Sequence, residues 1–251
     1  MEPTHSSPFP TKRSLNSKFL PYLTRAIHIP TPLLSTFLLI HLSAPILSNV
    51  GGSSYSSSVM LLGREYYQGS PNETLLVFGP LALHLSASLL KRILSPSPLT
   101  PPKSLLSKAG LASVLLLPVH ILIHRFYPSD PSPPISSLGP GQLDYSFVQY
   151  ALQNWPIRST ILYMALTSAT IMHAIEGSSL LWKRYFTNPR SHSEENVQKG
   201  RNRRFIGIAG ILATLSGLFT LWMEPIAMPL PSLLTRFDAI LRNSLLFRSE
   251  I

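Results

Sequence analysis

Five of the chain's eight histidines stand inside long apolar runs: His41, His84, His120, His124 and His173. The plainest case is "GPLALHLSASLLKR", residues 79–92, where one imidazole sits in an oily run that stops at Lys91-Arg92. An imidazole changes charge near neutral pH, ligates metal, or holds a hydrogen bond at either ring nitrogen. Away from water such a group is costly, and ionisable residues at membrane depth are functional by default. Glu176 lies one turn after His173. Ala165, Ala169, His173 and Gly177 recur every four residues, which aligns them on one helix face. A flat ligand needs such a groove beside an imidazole, but small-xxx-small helix packing produces the same pattern. Ala209, Ala213 and Gly217 repeat that spacing with no histidine.

The elements that must position these residues follow from composition. Of 251 residues, 45% are hydrophobic and only 13% charged, where a soluble domain carries about 25% charged. The apolar residues gather into five runs, at 32–50, 74–93, 108–126, 157–182 and 205–223. Each is near the ~20 residues that a helix needs to cross the hydrocarbon core. Helices are expected because a backbone in lipid must satisfy its hydrogen bonds internally. The fold expected is therefore an all-α membrane protein, a bundle of five transmembrane helices over residues 31–226. At ~1.5 Å per residue, His84 lies roughly 10 Å from the basic end of its run, His41 roughly 13 Å and His173 roughly 15 Å. His120 lies roughly 18 Å in and His124 deeper. One bis-imidazole haem fits between His84 and His173 on this count, whereas His41 and His120 need a second layer. Bound haem, a hydrogen-bonded polar core and a vestigial haem site all fit these residues. The chain has no cysteine, so disulfides and thiolate metal sites are excluded.

The net charge of +10 is distributed by side. Fifteen of the 21 Lys and Arg fall before the first run, between the second and third, and between the fourth and fifth; six fall on the other side. The positive-inside rule places the N-terminus in the cytosol and the C-terminus across the membrane. The basic stretch 183–204 reads as a topology and headgroup signal rather than a nucleic-acid surface, since few aromatics are interleaved with it. Residues 1–30, rich in Ser and Pro, read as a disordered cytosolic tail, and the prolines at 3, 8, 10 and 21 would interrupt the amphipathic helix of a mitochondrial presequence. Residues 227–251 carry Leu233, Leu234, Phe237, Ile240 and Leu241 at helical spacing with Arg236 and Arg242 between, which predicts an amphipathic helix lying in the interface. No catalytic constellation, internal repeat or paired broken helix is visible, so neither an enzyme nor a transporter is expected.

The segments "HLSAPIL", "LLVFGPLALHLSASLLKR", "LLLPVHILIHRFYP" and "IMHAIEG" follow one another across successive runs. In that order they resemble the fungal mitochondrial adaptor family, whose membrane domain is similar to the cytochrome b anchors of succinate dehydrogenase and fumarate reductase. The resemblance covers residues from about 30 to 225. It implies a multi-pass protein of the mitochondrial outer membrane that acts in lipid homeostasis and organelle contacts. Such proteins recruit a chorein-type lipid-transfer protein through a cytosolic Pro-x-Pro motif. Among five such triplets here, Pro8-Phe9-Pro10 alone lies on the free N-terminal tail, where a pre-extended segment docks at low entropic cost. The cytochrome likeness implies haem b, with His84 and His173 as axial ligands and, in two-haem relatives, His41 and His120 as a second pair; an electron-carrying cytochrome is thus the alternative function. Ala87 stands where those anchors usually carry glycine.

Overall fold

A computed structural model describes residues 12–95, 100–139, 141–186, 193–227 and 230–248. Among these residues the chain is helical, with no strand. The helices are α1 (Lys12–His28), α2 (Thr31–Tyr67), α3 (Gly79–Ile93), α4 (Leu105–Ile121), α5 (Tyr145–Asn154), α6 (Pro156–Tyr185), α7 (Ser193–Met223), α8 (Pro231–Arg242) and α9 (Leu245–Arg248). A π-helical turn, Glu73–Phe78, leads into α3, and a second, Leu122–Phe126, extends α4. Four stretches are long and apolar enough to cross a membrane: Phe19–Tyr67, Glu73–Ile93, Leu105–Ser129 and Gly200–Met223. The chain is thus an all-helical protein with the helices of a lipid bilayer environment. It divides into two compact units, Met1–Leu39 with Tyr66–Pro101, and Ile40–Glu65 with Pro102–Ile251.

In the first unit α1 packs along α3. Over Lys12–His28 a helix stands where a disordered tail was expected; residues 1–11 of that tail lie outside the described residues. Leu20, Leu23, Thr24 and Ile27 form a half-buried stripe at helical spacing, while Pro21 stands on the exposed side. The backbone bond that the proline removes is lost on that side, and burial of the stripe offsets it. At the head of α3, the Gly79 N–H reaches back five residues to the Thr74 carbonyl. A Cβ on Gly79 would lie 2.7 Å from that same oxygen, so the π-turn requires glycine there. The Phe37 and Tyr67 rings meet edge to face at 4.9 Å.

In the second unit α6 is central and packs against α4, α5 and α7. Its 30 residues measure roughly 45 Å, with Trp155 before its start and Trp182 near its end. That is about the thickness of a bilayer with its headgroups, and Trp belts mark such boundaries. The run 157–182 nevertheless is not among the four most apolar stretches. The reason lies in its neighbours. Ser159 and Ser179 are buried, Ser159 Oγ donates to the Ala151 carbonyl at 2.7 Å, and Thr170 meets Ser113 at 3.4 Å. On the faces that meet other helices a helix can be polar where a lipid-facing surface cannot.

Residues 51–73, between the first two apolar runs, are largely helix. The chain reverses at Gly51-Gly52, where Gly52 has φ +61°, a value that favours glycine. Ser56 Oγ then donates to the Ala44 carbonyl twelve residues back, at 2.9 Å; a straight helix would hold those residues ~18 Å apart. The Glu224 carboxylate secures the turn, accepting from Ser53 N–H at 2.7 Å and Ser53 Oγ at 2.9 Å. It therefore acts as an N-cap supplied from α7's end. Arg64, counted from sequence among the far-side loop charges, lies on the returning limb.

Helix α7 seats on the outgoing limb at Gly217. A Cβ there would stand 1.8 Å from the Pro45 carbonyl oxygen and 2.5 Å from Ser48 Oγ. Asn49 Nδ2 donates to the Ala213 carbonyl at 2.9 Å. The small-residue stripe of α7 is thus a true close approach. On α6 the nearest atom to a Cβ on Gly177 is 3.7 Å away, ordinary contact.

The C-terminal amphipathic segment also differs from expectation. Phe237, Ile240 and Leu241 are fully buried against Phe147, Ala151, Ile135, Leu138 and Leu143. Its apolar stripe closes a protein core with α5 and the 130–144 loop rather than lying in lipid. Arg236 ties that loop down, donating to the Ile135 carbonyl at 2.6 Å and to that of Ser136 at 3.0 Å. Asp144 caps α5 through Ser146 N–H at 2.8 Å. Between α5 and α8, burial and the neighbouring Asp238 carboxylate raise the Tyr150 hydroxyl above its usual pKa, against the opposing Arg242 charge.

Gly217→Ala is expected to destabilise by about 1–3 kcal/mol, the usual cost of overpacking, whereas Gly177→Ala should be neutral or stabilising by up to about 1 kcal/mol. Thermal unfolding of the two variants in detergent separates these outcomes; equal effects would contradict the close approach of α7 to Pro45.

Candidate functional site

The second unit gathers His41, His120 and His124 into one cluster. His41 and His120 stand edge to face with ring centroids 5.9 Å apart. His120 packs on His124 at 4.5 Å. These two sit at i and i+4 across the junction of α4 with its π-turn, so one helix face carries both. The Tyr163 hydroxyl, on α6, lies 3.2 Å from His124 Nε2. His124 also meets Phe147 at 5.3 Å, and Phe147 meets Phe237 at 5.1 Å. Aromatic contact therefore runs without a break from the outgoing limb of α2, through α4, into the C-terminal core. His120 Nδ1 is buried and has no hydrogen-bond partner.

The other two histidines bond to main chain. His84 Nδ1 lies 3.0 Å from the Ile27 carbonyl of α1, within the first unit. His173 Nδ1 lies 3.0 Å from the Leu106 carbonyl of α4, within the second. A carbonyl only accepts, so in both rings Nδ1 carries the proton and Nε2 is the atom with the lone pair. This is the arrangement by which a second partner orients a metal-binding imidazole. His173 also rests in a notch on α4: a Cβ on Gly110 would stand 2.8 Å from its Nδ1. The groove beside this imidazole is therefore made by α4's glycine, not by the small stripe of α6. Glu176, a turn further on, bonds to Arg204 of α7 at 3.0 Å.

The structure thus brings together His41 and His120, the pair that the cytochrome likeness implied, and adds His124 and Tyr163. The His120–His124 spacing of four was legible in sequence. Tyr163 carried no local signal, because it arrives through tertiary folding. His84 and His173 belong to different units, and each bonds inside its own. His120 is shared between the two contacts, edge to face with His41 and tilted against His124. Among the described residues no group of three or more His, Asp or Glu is arranged to hold a metal ion. Pro8-Phe9-Pro10 lies outside the described residues.

Fold and site together define a polytopic helical membrane protein with an internal imidazole cluster. Comparison with family models, curated proteins and solved structures gives no match.

Two histidine substitutions should have opposite signs. His173→Leu deletes a bond to main chain and is expected to cost about 1 kcal/mol. His120→Leu removes an unpartnered buried nitrogen and should be neutral or stabilising. Unfolding midpoints in detergent measure both, and a large loss for His120→Leu would show that the cluster holds something further.

Proposed function

We propose that the chain is a non-enzymatic adaptor, integral to the mitochondrial outer membrane, that recruits a chorein-type lipid-transfer protein through Pro8-Phe9-Pro10. It would act there in lipid homeostasis and organelle contacts, with the N-terminus cytosolic and the C-terminus in the intermembrane space. The order of the four quoted segments along the chain supports the family, and the apolar helices support the membrane. The observation that carries the non-enzymatic reading is how the interior polar groups are used. His84 and His173 each brace a neighbouring helix through a main-chain carbonyl, and His41, His120 and His124 pack on one another. The imidazoles hold the scaffold together, which leaves recruitment to the tail. Changing Pro8 and Pro10 together to Ala in the full chain should abolish co-isolation of the lipid-transfer protein while membrane insertion is unaltered. Undiminished co-isolation would refute the motif.

A second reading, binding of haem b, is supported by the cytochrome-like order of the quoted segments, in which His84 and His173 stand at the axial positions. Haem would supply one-electron chemistry. Full-length protein made with ample haem should then show a Soret band that shifts on reduction and disappears in His84→Ala. Protein without haem absorbance would remove this reading and leave the adaptor reading intact.

A further inference from the structure

Seven Ser or Thr residues precede a proline in this chain, and Thr100 alone also has a basic residue three places on, in Thr100-Pro101-Pro102-Lys103. Each position has a physical reason. Proline has no N–H and a fixed φ. A protein kinase whose substrate groove offers no acceptor to the residue after the hydroxyl therefore takes proline there and penalises other residues, whose N–H would be left unpaired. A lysine two places beyond that proline reaches an anionic group on the enzyme. The combination is the substrate pattern of proline-directed kinases. Phosphoryl transfer asks little more of the substrate than a hydroxyl held in line with the γ-phosphate.

The structure presents this motif in the form such an enzyme reads. Thr100, Pro101 and Lys103 are exposed, and residues 100–103 lie outside any helix, ahead of the Ser104 cap of α4. A residue before proline is steered to extended backbone. Thr100 and Pro101 both stand before one, so the segment loses little entropy on docking in a groove. Other Ser/Thr-Pro pairs are placed differently. Thr31 opens α2, and Ser132 sits in a turn where its N–H bonds to the Asp130 carboxylate at 2.8 Å. The charge around Thr100 also suits the product. Arg92 Nη2, on the last turn of α3, donates to the Thr100 carbonyl at 2.5 Å, which sets a cation beside the acceptor. No Asp or Glu occurs from residue 74 to residue 129, and a phosphothreonine brings about −1.5 to −2 charges at neutral pH.

We propose that Thr100 is a phosphorylation site for a proline-directed protein kinase. Thr100 Oγ attacks the γ-phosphorus of kinase-bound ATP. The new Oγ–P bond forms as the bond from phosphorus to the β–γ bridging oxygen breaks, the hydroxyl proton passes to the aspartate base of the kinase, and ADP leaves. The site rests on the orientation proposed above, which puts the connection between α3 and α4 in the cytosol with the kinase and its ATP. It is separate from the imidazole cluster and from Pro8-Phe9-Pro10.

The test is transfer of label from γ-labelled ATP by a purified proline-directed kinase that prefers a basic third residue. It is run on the full chain in neutral detergent, where both faces are open, and on sealed organelles that carry the chain. Mass spectrometry of peptides locates the label. Wild type should be labelled at Thr100 in both preparations. Thr100→Val should lose that label. Thr100→Ser should keep it, which shows that the loss comes from the missing hydroxyl and not from misfolding. Lys103→Gln should slow labelling about fivefold, the upper value for one exposed ion pair. Absence of label at Thr100 in detergent, or labelling that Thr100→Val does not reduce, would overturn the site and leave the adaptor reading standing. Label that appears in detergent and is missing from sealed organelles would overturn the site together with the proposed orientation.

Discussion

A polar side chain inside an apolar helical bundle has no water to turn to, and the second unit is organised by that constraint. Ser56 and Ser159, both buried, each donate to a main-chain carbonyl outside their own stretch of helix. Glu224 accepts two bonds from Ser53 at the point where α2 reverses. Gln153 donates to the Glu224 and Trp222 carbonyls at 2.8 and 3.1 Å, which fastens α5 to the end of α7. These bonds fix which helices are neighbours more strictly than apolar contact would, because lipid is as good a solvent for leucine as another helix is.

The same constraint explains where glycine is indispensable. At Gly217 two backbones approach until even a methyl group has no room, and the Pro45 carbonyl is the limiting atom. At Gly52 the backbone needs a left-handed conformation, and the Glu224 carboxylate occupies the space of a Cβ at 2.8 Å. At Gly110 the occupant is the His173 ring. Each glycine makes room for a polar group that has been brought out of water and given a partner. The stripe of Ala165, Ala169 and Gly177 looked like the same device and is looser, since spacing records a face but not what lies against it.

The C-terminal segment illustrates the limit of an amphipathic pattern. Phe237, Ile240 and Leu241 mark an apolar stripe correctly, and a stripe will pack on lipid or on protein with similar energy. Phe147 and the 130–144 loop decide the matter by presenting a complementary protein face, anchored by Arg236 on the Ile135 and Ser136 carbonyls. In α1 the reverse error arises: Pro21 argues against a helix locally, and burial of Leu20, Leu23 and Ile27 outweighs the one missing bond. Likewise the polar residues of α6 obscure its membrane-like length, because they face neighbouring helices.

By itself the amino-acid sequence determined that the chain is helical and suited to lipid, since long runs of apolar side chains and a shortage of charge leave no other stable arrangement of backbone hydrogen bonds. It also marked the histidines as interior, through their positions within those runs, and made the i, i+4 pairing of His120 with His124 readable. Tertiary structure alone decided that His41 joins them, that Tyr163 completes the cluster, and that Glu224 holds a turn 171 residues away. Those contacts depend on a chain reversal at two glycines and on the register of α7 against α2. Periodicity describes one helix at a time, whereas register is set by the fit of carbonyls, notches and rings between helices.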